Sequence, residues 1–219
     1  MLAHTGQASG PISSAGGSGE VWIGARAGVG EHFAGDIADV AVFDRALTEY
    51  ELHRWLGRSD DADGTALWVD DDLPAGAQPS VTNDDWDWIT EDPLPSHGKR
   101  CHRSRLFTGV HQHFFTLPQR AFPVDRGDVL VTDVWLDPQN PPREVMLQWL
   151  DGDGSWEHRA FWGDDLIGWG AGGTTGRRRL GDLPPAGRWV TLRVPARLVG
   201  LERGMVHGVA LTLYDGRAA

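Results

Sequence analysis

The sequence predicts an all-β protein, an antiparallel β-sandwich or jelly roll. Glycine and proline are abundant, 29 and 13 of 219 residues, and long helical patterns are few, which favours short strands joined by turns. Short segments of alternating polarity recur at roughly ten-residue spacing beyond residue 65, the rhythm of a sandwich. The stretch from Val129 to Trp162 reads as three strands in a row, at 129–137, 144–150 and 155–162.

Each of these three strands follows from its own residues. The first sets Leu130, Val134 and Leu136 on one side and Val131, Asp133 and Trp135 on the other, the period of a strand with one buried face. Pro138-Gln139-Asn140-Pro141-Pro142 ends it, because proline fixes φ and carries no donor. Asp151-Gly152-Asp153-Gly154 supplies the positive φ that a tight hairpin needs. The third strand groups Trp156, His158, Ala160 and Trp162 against Glu157, Arg159 and Phe161. Further strands are expected at 101–107, 111–117, 188–194 and 205–214, with Trp86–Ile89 a strand or loop and one helical turn within 194–200.

Composition bounds the partners. The net charge is −11 and the longest basic run is Arg177-Arg178-Arg179, so neither nucleic acid nor an anionic membrane is an expected partner. No apolar run approaches the ~20 residues of a membrane span. Cys101 is the single cysteine, so no internal disulfide forms. The first 19 residues form a Gly/Ser-rich lead with neither the basic start nor the apolar stretch of a signal peptide. Both ends read as cuts through a longer chain. The expected organisation is a flexible lead at 1–19, a first segment at 20–57, a polar linker at 58–65 and a β-sandwich binding module at 66–219.

In the first segment, Val21-Trp22-Ile23-Gly24 is followed by Phe33, Gly35, Ile37, Asp39, Val40 and Phe43. A capping box of Thr48 and Glu51, flanked by Leu47 and Leu52, then opens a short helix. These residues, over about 20–56, resemble the C-terminal part of a laminin-G-like, concanavalin A-like jelly roll. The resemblance implies a truncated jelly-roll segment with one short helix, and no functional residue carries over.

Over about 66–217 the motifs are Trp68-Val69-Asp70-Asp71, the Trp86 and Trp88 pair, Gly109 with His111-Gln112-His113-Phe114, and Leu136-Asp137-Pro138. They continue through Met146-Leu147-Gln148-Trp149, Trp156 to Gly163 and Leu213 to Arg217. This part is similar to an uncharacterised bacterial β-sandwich module found beside lectin-like domains in exported proteins. That implies an extracellular or cell-surface setting within a larger multidomain chain, not a chemistry.

Four chemistries suggest themselves. Sugar binding needs a flat aromatic against the C–H face of a pyranose and bidentate polar groups at its hydroxyl rim. Eleven tryptophans exceed what a sheet core needs, and Trp86, Trp88, Asp133, Trp135, Trp156, Glu157, Arg159 and Trp162, with Trp169 nearby, are the candidate ligand-binding residues. The plain alternative is that most of these indoles fill the core. His111 and His113, two apart on a strand, could grip a metal ion with His158 or His102 as third ligand. The alternative there is a polar network, each ring bonded to a carboxylate or carbonyl. Asp70, Asp71 and Asp215 are candidate ligands for one structural calcium, the cofactor the sequence suggests, against solvated turn aspartates. Asp133 with Glu157 would serve paired-carboxylate hydrolysis. The glycine-rich run 170–176 lacks the lysine of a phosphate loop.

The expected function is therefore non-catalytic binding of a glycan or other surface polymer, lectin-like and secreted, on a face formed by 86–88 and 133–162. A metal-dependent lyase or hydrolase and a structural spacer are the alternatives.

Overall fold

The computed structural model describes residues 66–219 apart from Trp86, together with Ala34, Gly35 and Ala46. The chain divides into two compact units, Met1–Ala46 and Leu47–Ala219, and every element below belongs to the second. The expectations for the lead, the jelly-roll segment with its helix, and the linker lie outside the described residues.

Among the described residues eleven strands follow one another: β1 (Gln78–Thr82), β2 (Asp87–Ile89), β3 (Cys101–Arg103), β4 (Phe107–Thr116), β5 (Phe122–Val124) and β6 (Val129–Trp135). Then come β7 (Glu144–Asp151), β8 (Arg159–Gly163), β9 (Arg178–Gly181), β10 (Trp189–Pro195) and β11 (Gly204–Gly216). Between β10 and β11 the chain makes a 3₁₀ turn, Ala196–Leu198, within the segment where one helical turn was expected. Among the described residues no helix is long and apolar enough to cross a membrane.

The main sheet runs β1-β4-β11-β7-β8-β9, with β5 also pairing with β11. Its pairings are antiparallel except β8 with β9. The second layer is the β6–β10 ribbon, extended by the C-terminal residues: Leu136 bridges Ala218, and Trp135 N–H donates to the Ala219 carbonyl at 2.7 Å. Ser104 grips the far side of Ala218 through its own N–H, at 2.9 Å. The β2–β3 ribbon is a separate pair.

Alternation builds the core between the layers. Val145, Leu147 and Trp149 of β7, Ala160 and Trp162 of β8 and Leu213 of β11 point one way and meet Val134 of β6 and Leu192 and Val194 of β10. Trp68 closes one end, stacked on Phe122 and edge-on to Phe115, each at 5.2 Å between ring centres. At the end of β11 the register slips between Tyr214 and Gly216. Gly216 has φ +69°, and a Cβ there would lie 2.5 Å from Asn140 O and Pro142 N. A residue without a side chain is what lets the strand cross to the other layer at that point.

Two sequence expectations are corrected here. The stretch 129–162 is not one sheet face, because β6 belongs to the thin layer while β7 and β8 belong to the main sheet. Trp162, expected at the ligand, is a core residue with 8% exposure. Trp162→Ala should therefore cost about 3–5 kcal/mol in chemical denaturation, the range for emptying a large aromatic site. A loss under about 1 kcal/mol would contradict this placement.

Candidate functional site

The opposite face of the main sheet carries a groove of about 320 Å³. Its floor is set by strand register: Phe114 of β4, Ala210 of β11, Gln148 of β7 and Arg159 of β8 lie side by side across four strands. One step along, Gln112, Thr212 and Met146 form the next row. The small Ala210 leaves the floor low, and aromatic rings rise around it. Trp156 stands edge-on to Phe114, ring centres 6.0 Å apart, and Trp169 from the glycine-rich loop is 37% exposed.

The polar floor is held in one orientation. Arg159 Nε donates to Gln148 Oε1 at 2.7 Å, which turns the Gln148 amide nitrogen toward Thr212 Oγ1 at 2.6 Å and Gln112 Oε1 at 3.3 Å. The Thr212 hydroxyl donates to Gln112 Oε1 at 3.1 Å, and Gln112 Nε2 reaches Thr82 Oγ1 at 3.4 Å. A chain of hydrogen bonds thus runs from β8 to β1, and each amide is fixed before any ligand arrives. Arg159 Nη1 donates to Glu157 Oε1 at 2.9 Å and to the Gly176 carbonyl at 3.0 Å. Flat aromatic surface beside pre-aligned amides suits a ligand with apolar faces and a rim of hydroxyls.

The structure divides the expected face in two. Trp156, Glu157 and Arg159 are gathered at the groove. Trp156 was expected to share a side with Trp162, but residues 155–158 are not strand, and Trp156 turns to the side of Arg159. The turn is closed by Asp151, whose N–H donates to Ser155 O at 3.0 Å. Asp133 and Trp135 lie on β6, in the other layer. There Asp133 accepts from Thr191 Oγ1 at 2.6 Å and faces His97 Nε2 at 3.3 Å. Trp135 pairs across β10 with Trp189. Asp133 and Glu157 thus belong to different layers and form no catalytic pair. Trp88 is half-buried on β2 under the Arg100 guanidinium, 5.1 Å from the ring centre, and Trp86 lies outside the described residues. Sequence reasoning missed Gln112, Phe114 and Gln148. The signal was there, since Gln112 and Phe114 alternate with the histidines on β4 and Gln148 lies between two core residues, Leu147 and Trp149.

The histidines face inward. His111 Nδ1 lies 3.0 Å and His113 Nδ1 3.4 Å from Asp84 Oδ2, while Asp84 Oδ1 accepts the backbone N–H of Arg105 and of Asp85, both at 2.8 Å. The His102 ring centre is 3.7 Å from that of His113. Burial alone would raise the Asp84 carboxyl, but the hydrogen bonds from the two imidazoles and two amides hold it far below the usual carboxylate range. Burial drives His113 and, more strongly, His102 down from the ordinary imidazole value.

His158 is not the third member of this group, because β11 and β7 stand between β4 and β8. Its Nε2 contacts Asp151 Oδ2 at 2.9 Å and its Nδ1 contacts Val199 O at 2.6 Å. Asp71 Oδ1 accepts the N–H groups of Lys99 and Arg100 at 2.6 and 2.9 Å, which pull its carboxyl below its usual value. Asp70 sits beside Gly98 in the same tie, and Asp215 Oδ1 accepts from Gly109 N at 2.6 Å. Among the described residues no group of three or more His, Cys, Asp or Glu side chains is disposed to hold a metal ion.

No protein-family model matches the chain, and no curated protein matches it. Solved structures do. One is the glycoside hydrolase domain of Endo-D from Streptococcus pneumoniae R6, at 12% identity and TM-score 0.38, covering 65% of this chain and 20% of that one. Another is a study of carbohydrate-binding modules of the β-sandwich superfamily with promiscuous specificity, at 11% identity and TM-score 0.41, covering 66% and 54%. A third is the family 11 carbohydrate-binding module of Clostridium thermocellum in complex with a mixed-linked tetrasaccharide, at 10% identity and TM-score 0.33, covering 65% and 79%. The chain spans a fifth of the first structure's length and about half of the second's.

Proposed function

We propose that this β-sandwich binds carbohydrate without cleaving it, in the groove on the open face of the main sheet. One observation carries the reading: Trp156, Trp169 and Phe114 surround amides of Gln112 and Gln148 that the protein itself has already oriented. A pyranose ring stacks its C–H face on the indoles while its hydroxyls, each donor and acceptor, engage the amides. The groove lining contains one charged residue, Arg159, and the adjacent Glu157 carboxylate is tied to it at 2.9 Å, so the lining offers no pair of free carboxylates of the kind glycosidic cleavage uses. An exported, cell-surface setting within a larger chain is supported by the sequence resemblance over 66–217.

Affinity electrophoresis through soluble polysaccharides tests the proposal. Neutral polymers such as a mixed-linkage β-glucan, a xyloglucan or a glucomannan are expected to retard the protein. Trp135→Ala, on the other layer, should be retarded equally. Free migration in every polymer, or equal loss of retardation in Trp135→Ala, overturns the proposed site.

A further inference from the structure

We propose that the groove selects uncharged glycans, and that Glu157 is the residue that excludes acidic ones by cancelling the charge of Arg159. The inference rests on the glycan-binding reading and specifies its ligand class.

Arg159 is 7% exposed, yet it is the one cation in the groove lining. Its Nε is spent on Gln148 and its Nη1 on Glu157 and the Gly176 carbonyl. Nη2 takes no acceptor among the described residues and is left for a ligand. A guanidinium in this position would ordinarily mark a carboxylate or sulfate site, since its planar fork matches both. Glu157 alters that. Its carboxylate sits 2.9 Å from Nη1, so an approaching uronate meets an ion pair of no net charge whose negative end is 59% exposed. A sugar hydroxyl, in contrast, still accepts from Nη2 at no electrostatic cost. The neighbouring Arg177 is likewise balanced, with Asp165 at 3.5 Å, and the chain as a whole carries −11. Nothing near the groove draws in a polyanion.

The loop is shaped around this pair. A Cβ at Gly176 would overlap Glu157 Oε2, and one at Gly170 would lie 2.8 Å from Arg159 Nη1. The glycines of 170–176, which carry no phosphate-loop signature, leave room for an ion pair.

Two variants test this independently. Glu157→Gln keeps an oxygen acceptor for Nη1 and removes the charge. Gly176→Ala keeps the charge and displaces the carboxylate from Arg159, at the far end of a flexible side chain that can move. Wild type is expected to bind mixed-linkage β-glucan or glucomannan and to migrate freely through polygalacturonate. Each variant should gain polygalacturonate binding at least ~10-fold, and that gain should vanish in about 0.5 M salt, where exposed charges are screened. The inference is overturned if wild type binds polygalacturonate as tightly as a neutral polymer. It is equally overturned if both variants bind neutral polymer and still ignore polygalacturonate. Binding of neither class by any of the three proteins removes the glycan reading itself, and this inference with it.

Discussion

Replacing Trp156 and Trp169 together by alanine is expected to reduce polysaccharide affinity by about 100-fold or more while leaving the fold intact. Central aromatic anchors in binding sites cost on the order of 2 kcal/mol each when truncated, and every 1.4 kcal/mol is about tenfold. Trp169 is 37% exposed and Trp156 half-buried, and neither belongs to the core between the layers. Isothermal titration calorimetry against the best polymer reads the affinity, and the unfolding midpoint reads the fold. The single variants should each lose about 30-fold, since each removes one platform and leaves the amide floor in place. Full affinity in the double variant would show that the indoles are not the platform, whatever else the groove does.

The second large effect concerns stability. Asp84→Ala removes the acceptor shared by His111, His113 and the N–H groups of Arg105 and Asp85, in a place where the carboxylate has no exposure. Deleting this acceptor leaves its buried donors unpaired, at about 1–3 kcal/mol for each that water cannot reach, so a loss of about 3 kcal/mol or more is expected out of a typical stability of roughly 5–15 kcal/mol. Acid should act on the same cluster. His102 and His113 are held below their ordinary value of 6.5, so the unfolded chain takes up protons that the native protein refuses. Stability is therefore unaffected above about pH 6.5 and falls as the pH drops below it, by up to ~1.4 kcal/mol per pH unit for each ring that stays neutral. The depressed Asp84 adds a further loss only below its ordinary value of 3.8, where the unfolded carboxyl protonates first. Urea midpoints followed by tryptophan fluorescence should drop as the pH is lowered from 7 to 5. A flat or rising profile would contradict the buried, neutral state of these rings.

Much of the fold could be read from residues alone. The alternation along Val129–Trp135 and Glu144–Asp151, the proline-rich break at 138–142 and the Asp-Gly hairpin at 151–154 all correspond to what the chain does. The short strands β1, β5 and β9 carry too few alternating positions to stand out, with five, three and four residues. The site was harder for a definite reason. Period two tells which side of a strand a residue takes, but not which layer the strand joins. Asp133 and Glu157 look alike in sequence and end apart because β6 pairs with β10, while Glu157, just ahead of β8, is tied to Arg159 on the main sheet. The His-x-His pair drew notice to one side of β4, while the ligand-facing side was carried by Gln112 and Phe114, residues of no distinctive chemistry alone. Trp156 was assigned to the wrong side because a four-residue gap, 155–158, breaks the strand's phase.

The thirteen residues of β11 lie between β4 and β7, which do not pair with one another. The middle plank of the main sheet is thus made after all the strands it joins. During synthesis β1 can pair with β4 and β7 with β8 and β9, but these two parts of the main sheet have no edge in common until β11 arrives. The main sheet is therefore completed only when β11 emerges, and until then the edges of β4 and β7 that it will join stay exposed to any other strand that could pair with them.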